Sequence, residues 1–332
     1  MTKGETMNTR RTRSSVAGHG TALALLTLLA APALAVPVVA PEFAGVYTIQ
    51  SLGRVPDLPD PYGGLAFIDD DTLLIGGAAN FAEGRLYTID VARDGAGHIV
   101  GFSGSATAFG SVGEYNDGGV VFGPGDVLFT TRWPTNELGQ TRPGDTDEAR
   151  IIDLGAFGVA PSPGGMMFVP GGMPGAGQLK IVSWDTGDWY TLALAPAGDG
   201  TYLVLSATPG PTLPGGPEGI AYVPPGSPLF LDPSVLISEF SDGNVSVYDV
   251  DAAGNPIVAT RRDFVIGLIG AEGALVDPVT GDFLFSTFGA AGGDEVLRVQ
   301  GFVAPPPVPE PGSLVLLAAG LAGLGFARRR PA

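Results

Sequence analysis

Two glutamates, Glu218 and Glu272, stand 54 residues apart in the same setting: each directly precedes a glycine and a short apolar run, EGIAYV and EGALVD. Asp117 stands just before a third run of the same kind, GGVVFG. Carboxylates brought to one point offer only oxygen ligands, so the chemistry open to them is capture of a hard divalent cation, with Ca2+ the candidate. Aromatic and charged residues recur after the strand that follows each run: Arg132-Trp133, Trp184-Asp185, Glu239-Phe240 with Asp242, and Phe288. Trp133 and Trp184 offer an amphipathic stacking surface, which suits a sugar. The bland alternative is that the Glu-Gly and Gly-Gly pairs only shape the start of a strand.

Other chemistries fail on residue supply. The chain has no cysteine, which excludes thiol catalysis and thiolate metal sites and means export without disulfides. Of its two histidines only His98 lies outside the N-terminal segment, in the turn sequence ARDGAGHI, where no partner is evident. A zinc site of the usual histidine type needs more than one. No G-x-S-x-G elbow and no phosphate-cradling glycine loop are present. Asp249-x-Asp251 with Gly254 opens like a calcium loop, but Ala253 and Thr260 stand at ligand positions, so it reads as a hairpin turn. Asp69-Asp70-Asp71 reads as a solvated turn. Seven of the 17 Lys+Arg lie in the two tails, leaving ten against 32 of the 34 Asp+Glu, so the body carries a net charge of −22. Nucleic acid is thereby excluded as a partner, since phosphate binding needs a basic face.

The elements that must position the carboxylates come as a repeat. Five segments begin alike: Gly63-Gly64-LAFI, Gly118-Gly119-VVFG, Gly164-Gly165-MMFV, Glu218-Gly219-IAYV and Glu272-Gly273-ALVD, at intervals of 55, 46, 54 and 54 residues. Each is followed by a Pro/Gly/Asp turn in most units and then a second strand: TLLIGG, DVLFTT, QLKIVSW, SVLISEF or DFLFSTF. A third strand and a Gly-bearing hairpin follow in LYTIDVARDGAGHI and VYDVDAAGNPI. A period near 50 built from short strands is the pattern of propeller blades. Although Gly and Pro number 52 and 30 of 332 residues, the 45% hydrophobic content argues for many short strands with tight turns rather than disorder.

The last unit stops after its third strand, Glu295 to Phe302, while a lone strand, Gly45 to Gly53, precedes the first unit. An open edge invites aggregation, so the two are expected to pair and close the ring. The expected fold is therefore an all-β, five-bladed β-propeller over 45–303, with its fifth blade completed from the N-terminus. Six blades follow instead if 133–163 hides a degenerate unit, and a jelly roll or double β-sandwich is the rival architecture. In a propeller the starts of the inner strands and the loops after the second strands share one face. Asp117, Glu218 and Glu272 then ring one mouth, with Arg132, Trp133, Trp184, Asp185, Glu239 and Asp242 beside them. The repeat resembles that of the NHL and SMP-30/gluconolactonase-like propellers. In the SMP-30-like family the matching glutamate is a metal ligand; here Glu218 and Glu272 match, and Gly63, Gly118 and Gly164 depart from the pattern.

Both ends read as addresses. Arg10, Arg11 and Arg13 precede the apolar run TALALLTLLA and the small-x-small site Ala33-Leu34-Ala35, which reads as a signal peptide over 1–35 cut by signal peptidase. Residues 36–44 are expected to be a linker, as is the Pro-rich 304–308. Ser313 to Ala327 is a 15-residue oily stretch, about 22 Å long as a helix, a marginal membrane span for a lipid core of about 30 Å. Arg328, Arg329 and Arg330 would hold its end in the cytoplasm. Pro309-Glu310-Pro311, the apolar segment and the arginines resemble, over 309–332, the PEP-CTERM sorting signal of Gram-negative bacteria. The resemblance implies an exosortase-type membrane peptidase as partner, transient inner-membrane attachment by a transmembrane helix, and release to the cell surface or the exopolysaccharide matrix. The leading expectation is a non-enzymatic binding or structural module, the alternatives being a metal-dependent lactonase-like hydrolase and a carbohydrate-binding module.

Overall fold

A computed structural model describes residues 36–290 and 292–305. The expected leader, with its Ala33 and Ala35 cleavage site, and the tail from 309 lie outside the described residues. Among the described residues no helix is long and apolar enough to cross a membrane.

The chain opens with β1 (Val38–Val39) and β2 (Thr48–Gly53), then forms blades in sequence. Blade one is β3 (Leu65–Phe67), β4 (Thr72–Gly77), β5 (Arg85–Arg93) and β6 (Ile99–Ala108). Blade two is β7 (Asn116–Phe122), β8 (Leu128–Arg132), β9 (Glu137–Thr141) and β10 (Arg150–Asp153). Blade three is β11 (Pro163–Phe168), β12 (Leu179–Ser183), β13 (Asp188–Pro196) and β14 (Tyr202–Thr212). Blade four is β15 (Pro217–Tyr222), β16 (Ser234–Glu239), β17 (Asn244–Asp249) and β18 (Arg262–Ile266). Blade five is β19 (Ala271–Val276), β20 (Phe283–Thr287) and β21 (Val296–Gln300), completed by β2. The stretch 133–163 supplies the outer strands of blade two, not a sixth blade.

Closure follows the expected route: β2 pairs antiparallel with β21 in the register Thr48↔Gln300 and Ile49↔Val299. The segment expected as a linker at 36–44 is instead packed. Val38 and Val39 pair with Ile266 and Val265 on the edge of blade four, and Phe43 is fully buried against Phe264 and Phe230. Pairing with β1 covers part of what would otherwise be the open backbone edge of blade four.

Five hydrophobic clusters hold the ring, one at each seam between neighbouring blades. The seam between blades five and one joins Leu284 and Val296 to Leu65, Ile75 and Ile89. The second strand of every blade lies between two such seams and is buried along nearly its whole length. Burial on both faces explains why these strands read as continuous apolar runs rather than alternating ones.

The repeated glycines have a steric cause at the axis. A Cβ on Gly64 would lie 2.6 Å from the Gly118 carbonyl oxygen, and one on Gly273 2.6 Å from the Gly64 Cα. On Gly165 and Gly219 it would overlap the carbonyl oxygens of Glu218 and Glu272. At these four glycines an inner strand touches its neighbour's backbone too closely for a side chain, and at Gly119 the space is taken by Thr131 and Met166 side chains. Hydroxyls brace the contact: Ser286 Oγ donates to the Gly63 carbonyl at 2.6 Å and Thr131 Oγ1 to that of Gly164 at 3.2 Å.

His98, expected to lack a partner, has one: its Nδ1 lies 2.7 Å from Asp282 Oδ2 across the closing seam. Arg93 reinforces that seam with two contacts to Asp277, at 2.7 and 3.0 Å. Asp69, Asp70 and Asp71 form an exposed turn, as expected.

Candidate functional site

Each inner strand starts at the same end of the ring, and in blades two to five that start is irregular. The pairing register slips between Asn116 and Val120, between Pro217 and Ile220, and between Ala271 and Ala274. These bulges re-aim side chains that a regular ladder would send elsewhere. They bring Asp117, Glu218 and Glu272 together, with one carboxylate oxygen from each lying within 4.8 Å of the others. Glycines make the room: a Cβ at Gly164 would overlap Glu218 Oε2, and one at Gly118 would lie 3.1 Å from the same oxygen.

All three carboxylates are buried, and Asp117 Oδ2, Glu218 Oε2 and Glu272 Oε1 have no hydrogen-bond partner among the described residues. With its amide nitrogen turned towards the site, Asn80 donates to Asp117 Oδ1 at 3.1 Å. Burial pushes the Asp117 carboxyl up to about 7. Burial, reinforced by the charges of the neighbouring carboxylates, holds Glu218 and Glu272 well above the usual carboxylate range. No described lysine, arginine or histidine pairs with any of the three. Such a cluster is costly when ionised and becomes favourable when a cation shares it. A metal ion fits this donor set: three hard oxygens, each unpartnered, converging on one point. Asp117, Glu218 and Glu272 would hold it.

The carboxylates form the floor of a cavity of about 380 Å³. Its wall carries one aromatic ring from each blade: Phe81, Trp133, Trp184, Phe240 and Phe288 in order. The last four occupy one equivalent position, directly after the second strand of their blade. One device seats them all. The main-chain N–H groups of Trp133, Trp184, Phe240 and Phe288 donate to the carbonyls of Tyr115, Ser162, Gly216 and Gly270, at 2.8 to 2.9 Å. Each of those acceptor residues is left-handed, with φ of 57°, 64°, 64° and 60°. Glycine is at ease there; Tyr115 and Ser162 are not, and such strain persists only where surrounding structure imposes it. Blade one departs from the pattern, with Ala78 at the equivalent position and Phe81 supplied from further along the loop.

Four further candidates for this face lie elsewhere. Arg132 and Glu239 are the last residues of β8 and β16, and alternation along a strand turns them away from the cavity that their successors Trp133 and Phe240 enter. Arg132 is buried and ion-paired with Glu148, Glu137 (3.1 Å) and Glu114 (3.3 Å), which fixes the loop carrying Trp133. Glu239 accepts hydrogen bonds from Ser246, Tyr248 and Arg261, so its work is internal to blade four. Asp185 and Asp242 are exposed and do not line the cavity. Asn80, Phe81 and Ser162 line it without having been legible as candidates. For Phe81 a usable signal existed, since it is the aromatic of the loop between the second and third strands of its blade.

The chain leaves the ring on the opposite face. Val303 N–H donates to Ser227 Oγ at 3.3 Å, in the turn at the far end of β15 from Glu218. The cavity therefore opens away from the side on which the body joins its tail.

Among curated proteins, no match to this sequence is found. The chain is similar in fold to the calcium-binding protein regucalcin of Agrobacterium tumefaciens, at 15% identity over 76% of this chain and 80% of that one, with a TM-score of 0.40. It is also similar to a Trichoderma reesei carbohydrate-active enzyme of family AA12, at 9% identity over 80% and 97%, TM-score 0.46. A third likeness is the aldose sugar dehydrogenase of Streptomyces coelicolor, at 16% identity over 75% and 83%, TM-score 0.36. Residues 307–330 match the PEP-CTERM protein-sorting motif. That motif implies export with membrane-anchored transit and processing by an exosortase-type membrane protease. The chain thus joins a PEP-CTERM sorting motif to a five-bladed β-propeller body.

Proposed function

We propose that this protein is an exported, divalent-cation-binding propeller that captures a small ligand in its aromatic cavity and serves as a binding module outside the cell, in the exopolysaccharide matrix. One observation carries the reading: three buried carboxylates, each with an unpartnered oxygen, meet on the cavity floor. The buried charges need a cation, and the all-oxygen set selects a hard one, for which Ca2+ is the first to test. The bound ion would give the floor a Lewis-acid face for a ligand oxygen. The rings above it supply apolar area and exclude water.

A calcium titration of the full chain in nonionic detergent, followed by thermal unfolding, tests this. A calcium-dependent rise in Tm supports it; a Tm indifferent to calcium, magnesium and manganese sinks it. A metal-dependent, lactonase-like hydrolysis is the second reading, favoured by the convergence of Asp117, Glu218 and Glu272 on the floor, where a bound ion would polarise a lactone carbonyl. Lactone turnover abolished by Asp117→Asn would establish it, and its absence leaves the binding module.

The address is tested separately. Signal-peptidase cleavage after Ala35 and removal of the tail beyond Pro309-Glu310-Pro311 should leave a body free of both ends. Pro311→Ala is expected to retain an uncut tail in the membrane fraction on immunoblot. Wild-type protein found intact in the inner membrane at steady state would contradict this route.

A further inference from the structure

We propose that the aromatic collar recognises an organic cation, a methylated ammonium group being the class that fits. The inference deepens the cavity reading and rests on the cavity being the binding site, but it does not require the ion.

The wall carries five aromatic rings, and among the described residues no lysine, arginine or histidine lines the cavity. Neighbouring rings meet edge to face: Trp184 and Phe240 at 6.1 Å and 83°, Phe240 and Phe288 at 5.8 Å and 72°. Rings set at such angles enclose a rounded group. A flat sugar face would be served better by a coplanar platform. The faces of aromatic rings attract cations through their quadrupole, most strongly where water is excluded.

The floor adds charge of the same preference. Asp117, Glu218 and Glu272 are buried together there, and no lysine, arginine or histidine among the described residues pairs with them. With a divalent ion bound, three ionised carboxylates still leave one negative charge uncompensated. With the ion bound, anions are therefore rejected, and a monocation is favoured over a neutral molecule of the same shape. Donors for a neutral polyol are few: Asn80, Ser162, Trp133 and Trp184 are the polar uncharged groups or N–H carriers on the lining. The net charge of −22 on the body draws cations towards the protein before contact.

The test is calorimetric titration of the full chain in nonionic detergent with choline, in calcium and separately in EDTA. The comparison ligand is 3,3-dimethyl-1-butanol, which keeps the shape of choline and replaces its charged nitrogen with carbon. Choline is expected to bind saturably, and the neutral isostere to bind about tenfold more weakly or worse. Trp184→Leu and Phe288→Leu, which keep apolar bulk and lose the ring, should each weaken choline about tenfold. Phe288→Leu stands in if Trp184→Leu fails to fold. Equal binding of the two ligands, choline binding indifferent to both ring variants, or binding of a neutral monosaccharide in place of choline would each overturn the proposal. Choline binding without any calcium-dependent rise in Tm would remove the metal reading alone. A calcium-dependent rise without choline binding would remove this proposal alone.

Discussion

Gly165→Ala is expected to prevent the ring from closing. Its new methyl would overlap the Glu218 carbonyl oxygen, and the obstacle is backbone of the neighbouring inner strand, not a side chain that can rotate away. Moving that strand would displace Glu218 from the floor and shear the seam between blades three and four, where Val182 and Trp189 pack on Ile220 and Ile237. A cost of about 4 kcal/mol or more belongs to this kind of buried overlap. For a body of this size that is a fall in Tm of roughly 8 °C or more, or loss of soluble protein. Gly45→Ala is the matched control, because nothing lies within 4 Å of a Cβ there; its effect should stay within about 0.5 kcal/mol. Circular dichroism melting of both variants decides the matter. A wild-type melt for Gly165→Ala would mean that the axis is looser than described.

The second large effect concerns the carboxylate floor. Asp117, Glu218 and Glu272 all titrate above their unfolded values, which lie near 4. The folded protein without an ion therefore keeps protons that the unfolded chain has already lost. Its stability should fall as pH rises from about 4 through 7, the value to which Asp117 is pushed. Asp294 adds to the pressure on Glu272 from the neighbouring loop. A divalent cation displaces these protons, so its stabilising effect should grow with pH between 5 and 8. At a hundredfold excess over Kd the gain is about 2.7 kcal/mol. Glu218→Gln/Glu272→Gln keeps the shape of both side chains and removes two charges. The double variant should lose the calcium-dependent rise in Tm and show a shallower decline with pH. A calcium response that survives it would place the ion elsewhere.

Much of this was legible in the sequence because the constraint sits in the backbone. Five strands that touch at an axis need glycine there, and glycine is conspicuous; hence the repeat of Gly-Gly and Glu-Gly and the correct placing of Thr72–Gly77 as a second strand. The partner of the N-terminal strand could be named because an incomplete last unit leaves an edge that physics disfavours. Side-chain direction was harder to read. Arg132 and Trp133 are neighbours with opposite fates, one buried among Glu114, Glu137 and Glu148, the other in the cavity wall. Which one points inward depends on where the strand ends, and one residue reverses the answer. The left-handed backbone at Tyr115 and Ser162 left no trace either, since neither residue type advertises it. The pairing of His98 with Asp282 spans 184 positions and depends on ring closure, so a local reading could only leave the histidine alone.

The central claim is that a single divalent ion sits where blades two, four and five present their acidic side chains. An anomalous difference map from crystals grown with calcium chloride tests it most directly. The account predicts one peak on the cavity floor, about 2.3–2.6 Å from an oxygen of each of Asp117, Glu218 and Glu272. A floor without a peak at saturating calcium, or a peak bound by other residues, would contradict it.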